Sequence, residues 1–350
     1  MGWFDESRLD DERALAARDH LLRHLAESGA RVRREVTAAR ESGAGAARAG
    51  DAGEVRPRAV VAAGPDSRLL RAVLEPWCPV PFVAWPGPGL PGWTGGLDLV
   101  VVLAPEGSDP GSASAVAEAV RRGCSVVVAC PPASLVAEHA AGRWSTLLPT
   151  VTGDQLAVAV VVLEHLAALG LGPGTDAEEV AAALDDVAVA CSPYRDLAVN
   201  PAKELAIGLA DTTPLVWGGS TLSARAARRV AEAVRVATGR TVLPGDADHL
   251  LPVVEAARPR DVFADPVDAP GGAARPALLL LDDGADDPVV REDRGRLRAA
   301  AAAHDVRVEE VDASGPGDGR VARSELARYA SLVLTGSYLA QYLAVGSVDG

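Results

Sequence analysis

The sequence predicts an α/β protein with two doubly wound domains, each a parallel sheet flanked by helices. Its 350 residues are 48% hydrophobic, enough to form the cores of two domains. Short apolar strands alternate with amphipathic helices, a pattern typical of a parallel sheet covered on both faces. This pattern occurs twice, in two halves that join near residues 170–200.

The amino-terminal part predicts a helical arm and a linker over residues 1–56. Residues 8–40 carry apolar side chains at helical spacing. From Glu41 to Arg56 the letters are small and polar, which indicates a flexible connection between the arm and the first sheet.

Residues 57–190 predict the first α/β domain. Apolar runs give its strands, at residues 59–63, 79–85, 97–104 and 125–130. Amphipathic segments give its helices: one through Leu69 and Val73, then residues 112–122, 154–169 and 176–189. The last two form a helical pair, because the Gly and Pro of residues 170–174 stop a helix.

Residues 191–350 repeat the pattern and predict the second domain. Its strands are expected at residues 214–217, 240–243, 277–281 and 306–311. Its helices are expected at residues 201–209, 223–237, 288–303 and 324–343.

The charge of the chain argues against two classes of partner. Lys and Arg number 34 and Asp and Glu 48, so the formal net charge is −14. Nucleic acids and anionic membrane surfaces both require a basic face. We therefore expect neither, whereas small anionic ligands stay possible because a local site can be positive on an acidic protein.

The cysteine spacing and the amino terminus predict a cytoplasmic protein with reduced thiols. Cys78, Cys124, Cys130 and Cys191 form no Cys-x-x-Cys pair, which argues against a zinc ribbon or a redox dithiol. The first residues, MGWFDESRLDDER, are acidic and lack the apolar core of a signal peptide. The longest apolar stretch ends at Glu164 and is too short to span a bilayer.

No cofactor or metal is predicted. His20 and His24 lie four residues apart on one helix, a spacing that can bind a metal ion. Because no third ligand is apparent, we expect a solvated helix face instead.

Three loops that follow predicted strands could bind an anion, because ligands of parallel sheets lie beyond the carboxyl ends of the strands. The candidate phosphate-binding residues in these loops are Ser67, Ser108, Ser112, Gly218, Gly219 and Ser220. The alternative is that Ser, Asp and Gly at these positions only cap helices. Asp66, Glu106 and Asp109 favour this alternative at the first two loops, since a carboxylate repels a phosphate.

The carboxyl-terminal half resembles a known family. Residues 200–235 read NPAKELAIGLADTTPLVWGGSTLSARAARRVAEAVR, residues 278–300 form a strand, an acidic loop and a helix, and residues 326–350 read LARYASLVLTGSYLAQYLAVGSVDG. In order and spacing these segments resemble the bifunctional phosphoglucose/phosphomannose isomerase family, which pairs two sugar-isomerase (SIS) domains. The amino-terminal half matches that family only in layout. The resemblance therefore implies two SIS-type domains.

The resemblance also implies catalytic roles for two residues. The glutamate of the family precedes a proline by twelve positions, as Glu232 precedes Pro244, and its histidine follows that proline by four, whereas His249 follows by five. An aldose–ketose isomerase needs a carboxylate that carries a proton between C1 and C2 and a histidine that opens the sugar ring. Glu232 and His249 are the expected counterparts.

The sequence departs from the family where the phosphate is expected to bind. The first loop keeps Ser67 but has Pro65 and Asp66 where the family has glycines. Residues 104–109 replace a serine-rich loop, and residues 154–155, Asp-Gln, stand where the family has Pro-Arg. Loss of the electrostatic element alone typically costs ~10²–10³ in rate.

Two functions remain open from the sequence. The first is isomerisation of glucose-6-phosphate or mannose-6-phosphate to fructose-6-phosphate. The alternative is a catalytically degenerate SIS protein that binds a sugar phosphate or a protein partner in a regulatory role. For either function we expect a homodimer, because the apolar helices at residues 15–36 and 324–343 offer more hydrophobic surface than two small domains need, and proteins of this family commonly pair.

Overall fold

The computed structural model describes residues 3–43, 56–257, 274–313 and 324–348. The chain divides into two compact units: Ser28–Ala182, and Met1–Glu27 together with Ala183–Gly350. The domain boundaries predicted after residues 56 and 190 stay a prediction.

The secondary structure of the described residues alternates strands and helices along most of the chain. The strands are β1 (Trp3–Phe4), β2 (Val60–Ala63), β3 (Phe82–Trp85), β4 (Leu99–Leu103), β5 (Ser125–Cys130), β6 (Ser145–Pro149), β7 (Thr212–Gly218), β8 (Leu243–Pro244), β9 (Arg275–Asp282), β10 (Arg307–Asp312) and β11 (Ser347–Val348). The helices are α1 (Glu12–Ala16), α2 (Asp19–Ala26), α3 (Ser28–Glu41), α4 (Ser67–Leu74), α5 (Pro110–Arg121), α6 (Leu135–His139), α7 (Gln155–Ala168), α8 (Ala177–Ala190), α9 (Pro201–Gly208), α10 (Thr221–Thr238), α11 (Ala247–Glu255), α12 (Pro288–Ala303) and α13 (Glu325–Gly346).

The unit of residues 28–182 contains a five-stranded parallel sheet in the order β3-β2-β4-β5-β6. Its central strand β4 consists of five consecutive Leu and Val residues, all buried, as expected for a strand covered on both faces. After β2 the chain crosses to β3 on one side, and it then returns to β4 on the other side. The topological switch point therefore lies between β2 and β4, where ligands bind in open α/β sheets.

The other unit contains a four-stranded parallel sheet in the order β10-β9-β7-β8. Buried side chains of β7 and β9, among them Trp217 and Leu280, pack with Leu297 of α12. Here the chain crosses from β7 to β8 and then to β9 on the opposite side, so the switch point lies between β7 and β9. The prediction of parallel α/β sheets in both halves is confirmed.

The amino-terminal arm is helical, as the apolar spacing predicts, but it is divided into several helices. It consists of a short 3-10 helix, Glu6–Leu9, followed by α1, α2 and α3. The Asp5 and Asp11 side chains accept hydrogen bonds from backbone N–H groups of the next helix, and each thereby starts a new helix. Residues 3–27 belong to the same unit as the second sheet, and β1 pairs with β11.

Lys203, the single lysine of the chain, anchors this amino-terminal segment. Its side chain is fully buried, and its Nζ lies 2.6 Å from Asp10 Oδ1. The same Nζ donates to the carbonyl oxygens of Pro193, at 3.0 Å, and Arg195, at 2.9 Å. The ammonium also lies 5.6 Å from the centre of the Tyr342 ring. Asp10 is therefore the carboxylate that neutralises a buried cation.

Three local predictions need correction. The strand predicted at residues 240–243 is wrong, because the strand is β8 and has only the residues Leu243–Pro244. His249, which lies outside every helix and strand predicted from the sequence, belongs to α11. The strand β6 and the helix α6 were missed. The Ser, Thr and Pro of β6 lack a strong apolar pattern, because this strand lies at the edge of the sheet and is only partly buried.

All four cysteines are free thiols, and their burial predicts unequal reactivity. Burial raises the pKa of Cys191 to about 12, so roughly one molecule in 10⁴ carries this thiolate at pH 8. Burial also raises the pKa of Cys124 and Cys130, whereas Cys78 is partly exposed.

We expect a disulfide reagent at pH 8 to modify Cys78 rapidly and the other three thiols only after denaturation. The variant C78S should lack the rapid phase, and a rapid phase that persists in C78S would contradict this assignment.

None of the helices in the described part of the chain is both long and apolar enough to cross a membrane.

Candidate functional site

At the switch point of the first sheet, where open α/β sheets form a ligand-binding crevice, two predicted serines lie in adjacent loops. Ser67 is the first residue of α4, after β2, and Ser112 lies in the first turn of α5, after β4. A Cβ on Gly64, in the loop between β2 and α4, would lie 2.8 Å from the Ser112 hydroxyl. Gly64 has a φ of +89°, so this position requires glycine both for its backbone conformation and for the approach of Ser112. The two loops are therefore adjacent.

The hydroxyl groups of Ser67 and Ser112 are buried and have no hydrogen-bond partner in the described part of the chain. Ser67 is 1% exposed and Ser112 is fully buried. Neither Oγ has a hydrogen-bond partner within the described part of the chain. A buried hydroxyl without a partner costs folding free energy, and such groups in a protein commonly have a functional reason. Both lie at the amino ends of helices, where backbone N–H groups favour anions.

Carboxylates surround the same crevice. The Asp66 side chain accepts a hydrogen bond from Gln155 Nε2, and Asp109 Oδ2 accepts from the Ser112 backbone N–H at 2.6 Å. Asp109 therefore caps α5, as the capping alternative predicted. Ser108, next to it, is exposed and stays a predicted ligand contact.

At the corresponding switch point of the second sheet, the serine hydroxyl already has hydrogen-bond partners within the protein. Ser220 caps α10, with its Oγ accepting from the Ser223 backbone N–H at 3.0 Å, and the same hydroxyl donates to Asp283 Oδ2. A Cβ on Gly218 would meet the backbone of Ser223, and one on Gly219 would meet Trp217. In the structure the two glycines and Ser220 thus serve packing and capping, and their role as ligand contacts stays a prediction.

The two predicted catalytic side chains are exposed and contact different neighbours. The Glu232 side chain is 53% exposed and pairs with Arg229 at 2.8 Å, within α10. The His249 side chain is 80% exposed, and its Nδ1 lies 3.7 Å from Asp246 Oδ2. Glu232 lies eleven residues along α10 from Thr221, or about 16 Å, whereas His249 lies in the first turn of α11. One copy of the chain does not bring Glu232 and His249 into hydrogen-bond contact.

Two side chains that form hydrogen bonds at the switch points were not predicted as site residues from the sequence. By sequence, Gln155 is only the residue that stands in place of an arginine, whereas in the structure its side-chain amide donates a hydrogen bond to the Asp66 carboxylate. Asp283 was seen as part of an acidic loop, and only the structure shows that it accepts from Ser220. Both contacts join residues that are far apart in sequence, so no local pattern indicates them.

A separate groove of about 670 Å³ lies in the unit of residues 28–182, between α3, α7 and the start of α8. Its arginines are already paired, Arg33 with Glu178 at 2.7 Å and Arg40 with Glu164 at 3.2 Å. Burial raises the pKa of the Glu164 carboxyl, and Arg40 partly offsets that shift. Because these charges already neutralise one another, the arginines of the groove are less free to bind an anionic ligand than the unpaired hydroxyls of Ser67 and Ser112.

No metal site is evident in the residues that the structure describes. None of their histidine, cysteine and acidic side chains form a group of three that could hold an ion. His20 and His24 lie on α2, as expected from their spacing.

Comparison with known proteins identifies the second half of the chain. Residues 198–347 match the family model of the bacterial phospho-glucose isomerase C-terminal SIS domain. The carboxyl-terminal half is therefore similar to this domain family. The resemblance inferred from residues 200–350 is thereby confirmed. No curated protein matches the chain in sequence.

Solved structures show that the SIS-type architecture extends over both halves. Tagatose-6-phosphate ketose/aldose isomerase from Escherichia coli superimposes with a TM-score of 0.61 at 15% identity, over 93% of this chain and 92% of that chain. A glucose-6-phosphate isomerase like protein from Thermus thermophilus gives a TM-score of 0.55 at 19% identity, over 96% of this chain and 92% of that chain. At these identities the similarity establishes the fold: two SIS-type α/β domains with parallel sheets flanked by helices.

Proposed function

We propose that this SIS-domain protein binds a hexose 6-phosphate and interconverts its aldose and ketose forms. The substrates would be glucose-6-phosphate and mannose-6-phosphate, and the product fructose-6-phosphate. One observation carries the proposal: the buried hydroxyls of Ser67 and Ser112 lack partners within the described residues, at the switch point of a parallel sheet. In the equivalent crevice of the second sheet, by contrast, Ser220 and Asp283 contact each other.

Glu232 and His249 would carry the chemistry. In this proposal the Glu232 carboxylate takes the proton from C2 of the open-chain aldose and returns it to C1. His249 exchanges a proton with the ring oxygen and so opens the sugar ring. An imidazole suits this step, because one ring nitrogen can donate a proton while the other accepts one. Their exposure leaves both side chains accessible to a substrate.

A homodimer is part of the proposal. Glu232 lies toward the carboxyl end of α10 and His249 at the start of α11, so the two are separated within one copy. A second copy would place its His249 beside Glu232 and cover both exposed side chains. Sedimentation that shows only a 35.9 kDa species at micromolar concentration would count against this arrangement.

We also propose a cytoplasmic location, without a nucleic acid or membrane partner. The support is the net charge of −14 and the four free thiols, which match a reducing compartment.

The test of the proposed reaction is a coupled assay on the purified protein with glucose-6-phosphate and mannose-6-phosphate, each at several concentrations. Formation of fructose-6-phosphate from either sugar is the expected result. Binding of either sugar without turnover would instead favour a catalytically degenerate protein, and the absence of both binding and turnover would refute the proposed function.

Alanine at Ser67 or Ser112 should weaken ligand binding without weakening the fold. We expect each of S67A and S112A to raise the Kd for glucose-6-phosphate about tenfold, because each removes a hydrogen bond to a charged group. The free energy of unfolding should stay constant or increase slightly, since the lost hydroxyl has no partner in the described part of the protein.

The control for these variants is S220A, measured by the same calorimetry and urea denaturation. It removes a cap and the donor to Asp283, so it should lower stability by about 1 kcal/mol and leave binding unchanged. If S220A loses affinity while S67A and S112A keep it, the ligand lies in the second crevice.

A further inference from the structure

The crevice of Ser67 and Ser112 lacks an obvious cation for an anionic ligand among the residues described. Two carboxylates, Asp66 and Asp109, lie in its loops. Arg31 is buried and pairs with Asp154 at 2.7 Å, so its charge is already neutralised. A phosphate in this crevice would therefore face uncompensated negative charge unless another residue supplied a cation.

Arg68 follows Ser67 directly and is the second residue of α4. Its side chain is exposed and forms no hydrogen bond or ion pair within the described ranges of the chain. The other arginine of this helix, Arg71, differs in that it pairs with Glu75 at 2.7 Å. Arg68 is thus a cation without a carboxylate partner in those ranges, and it follows in sequence one of the two serines whose hydroxyls lack partners.

The stability of α4 does not explain why an arginine stands at position 68. The first turn of a helix carries a partial positive charge from its free N–H groups, and a cation there is unfavourable. The Cα–Cβ bonds of a helix tilt toward its amino terminus, so a long side chain in the first turn extends toward the preceding loop. For Arg68 that loop is residues 64–66, which forms one side of the crevice.

The geometry points to Arg68 as the residue that binds the phosphate group of the ligand in this crevice. The inference rests on the proposed function and specifies how this site selects an anion. The Arg68 guanidinium donates to the phosphate oxygens from the solvent side, while Ser67 and Ser112 donate from the buried side. Arginine suits this role because its planar guanidinium can form two parallel hydrogen bonds with a phosphate.

The test compares the binding of glucose-6-phosphate, inorganic phosphate and glucose to the wild-type chain and to variants of α4. We expect R68Q to raise the Kd for glucose-6-phosphate and for inorganic phosphate at least about tenfold. The variant should also reduce the salt dependence of binding. Binding of glucose, which has no phosphate, should not change, and R68K should recover part of the affinity because it keeps the positive charge.

The matched control is R71Q, which removes an arginine of the same helix and should leave all three affinities unchanged. If R68Q binds glucose-6-phosphate within twofold of the wild-type protein while S67A and S112A are weakened, the role of Arg68 is wrong and the proposed site stands. If the wild-type protein binds neither phosphate ligand, both proposals fail.

Discussion

Substitution of Glu232 by glutamine is expected to lower kcat for glucose-6-phosphate by about 10²–10⁴-fold, the usual contribution of a general base. Glutamine keeps the shape of the side chain and one acceptor oxygen, but it cannot accept the C2 proton at neutral pH. The Kd for the sugar phosphate should stay within about twofold, because the proposed phosphate contacts are untouched. Single-turnover kinetics and calorimetry on the same preparation separate the two effects.

The control is E292Q, which removes another exposed glutamate from a helix of the same unit and should leave kcat unchanged. If E232Q keeps more than a few per cent of the wild-type activity, the assignment of Glu232 as proton carrier is wrong. Asp246 and Asp248, which lie beside His249, would then be the next candidates.

Substitution of Asp10 by alanine is expected to lower the free energy of unfolding by about 3 kcal/mol, at the lower end of the cost of leaving a buried charge without its partner, because Asp10 itself is 46% exposed. The variant leaves the fully buried Lys203 ammonium without a carboxylate, although two carbonyl oxygens and the Tyr342 ring still contact it. The loss corresponds to roughly a 150-fold change in the unfolding equilibrium. Urea denaturation at pH 7 measures it.

Two further variants make this prediction specific. D19A removes an ion pair of similar length, 2.7 Å, in the same segment, but Arg23 is 72% exposed, so the cost should stay below about 1 kcal/mol. The double variant D10A/K203M should be more stable than D10A, because it no longer buries an uncompensated charge. A D10A variant as stable as D19A would show that Lys203 does not need Asp10.

Local patterns predicted most of the strands and helices, and their success depended on burial. The strand β4 is continuously apolar because both faces of its sheet are covered, and α10 has a capping serine at its start and a glycine, Gly239, at its end. The prediction failed where contacts distant in sequence decide the structure. The first part of the arm, residues 3–27, belongs to the unit of the second sheet, whereas α3 belongs to the other unit.

By sequence, Ser67, Ser112 and Ser220 all follow predicted strands and all fit helix caps, and the carboxylates near the first two count against them as ligand contacts. The structure separates them, because the Ser220 hydroxyl contacts Asp283 whereas the hydroxyls of Ser67 and Ser112 have no partner in the described part of the chain. Asp283 is 63 residues from Ser220, so this difference has no local signature.

Sequence alone therefore predicts the fold class, the repeated pattern of strands and helices and the resemblance of the second half to a known family, since these depend on hydrophobic periodicity and on motifs within short segments. Three further features emerge only from the folded chain: which crevice offers unpaired hydroxyls among the described residues, which carboxylate neutralises Lys203, and the separation of Glu232 from His249 within one copy. The physical reason is that hydrogen bonds and ion pairs are satisfied in three dimensions, between residues that the chain brings together only after it folds.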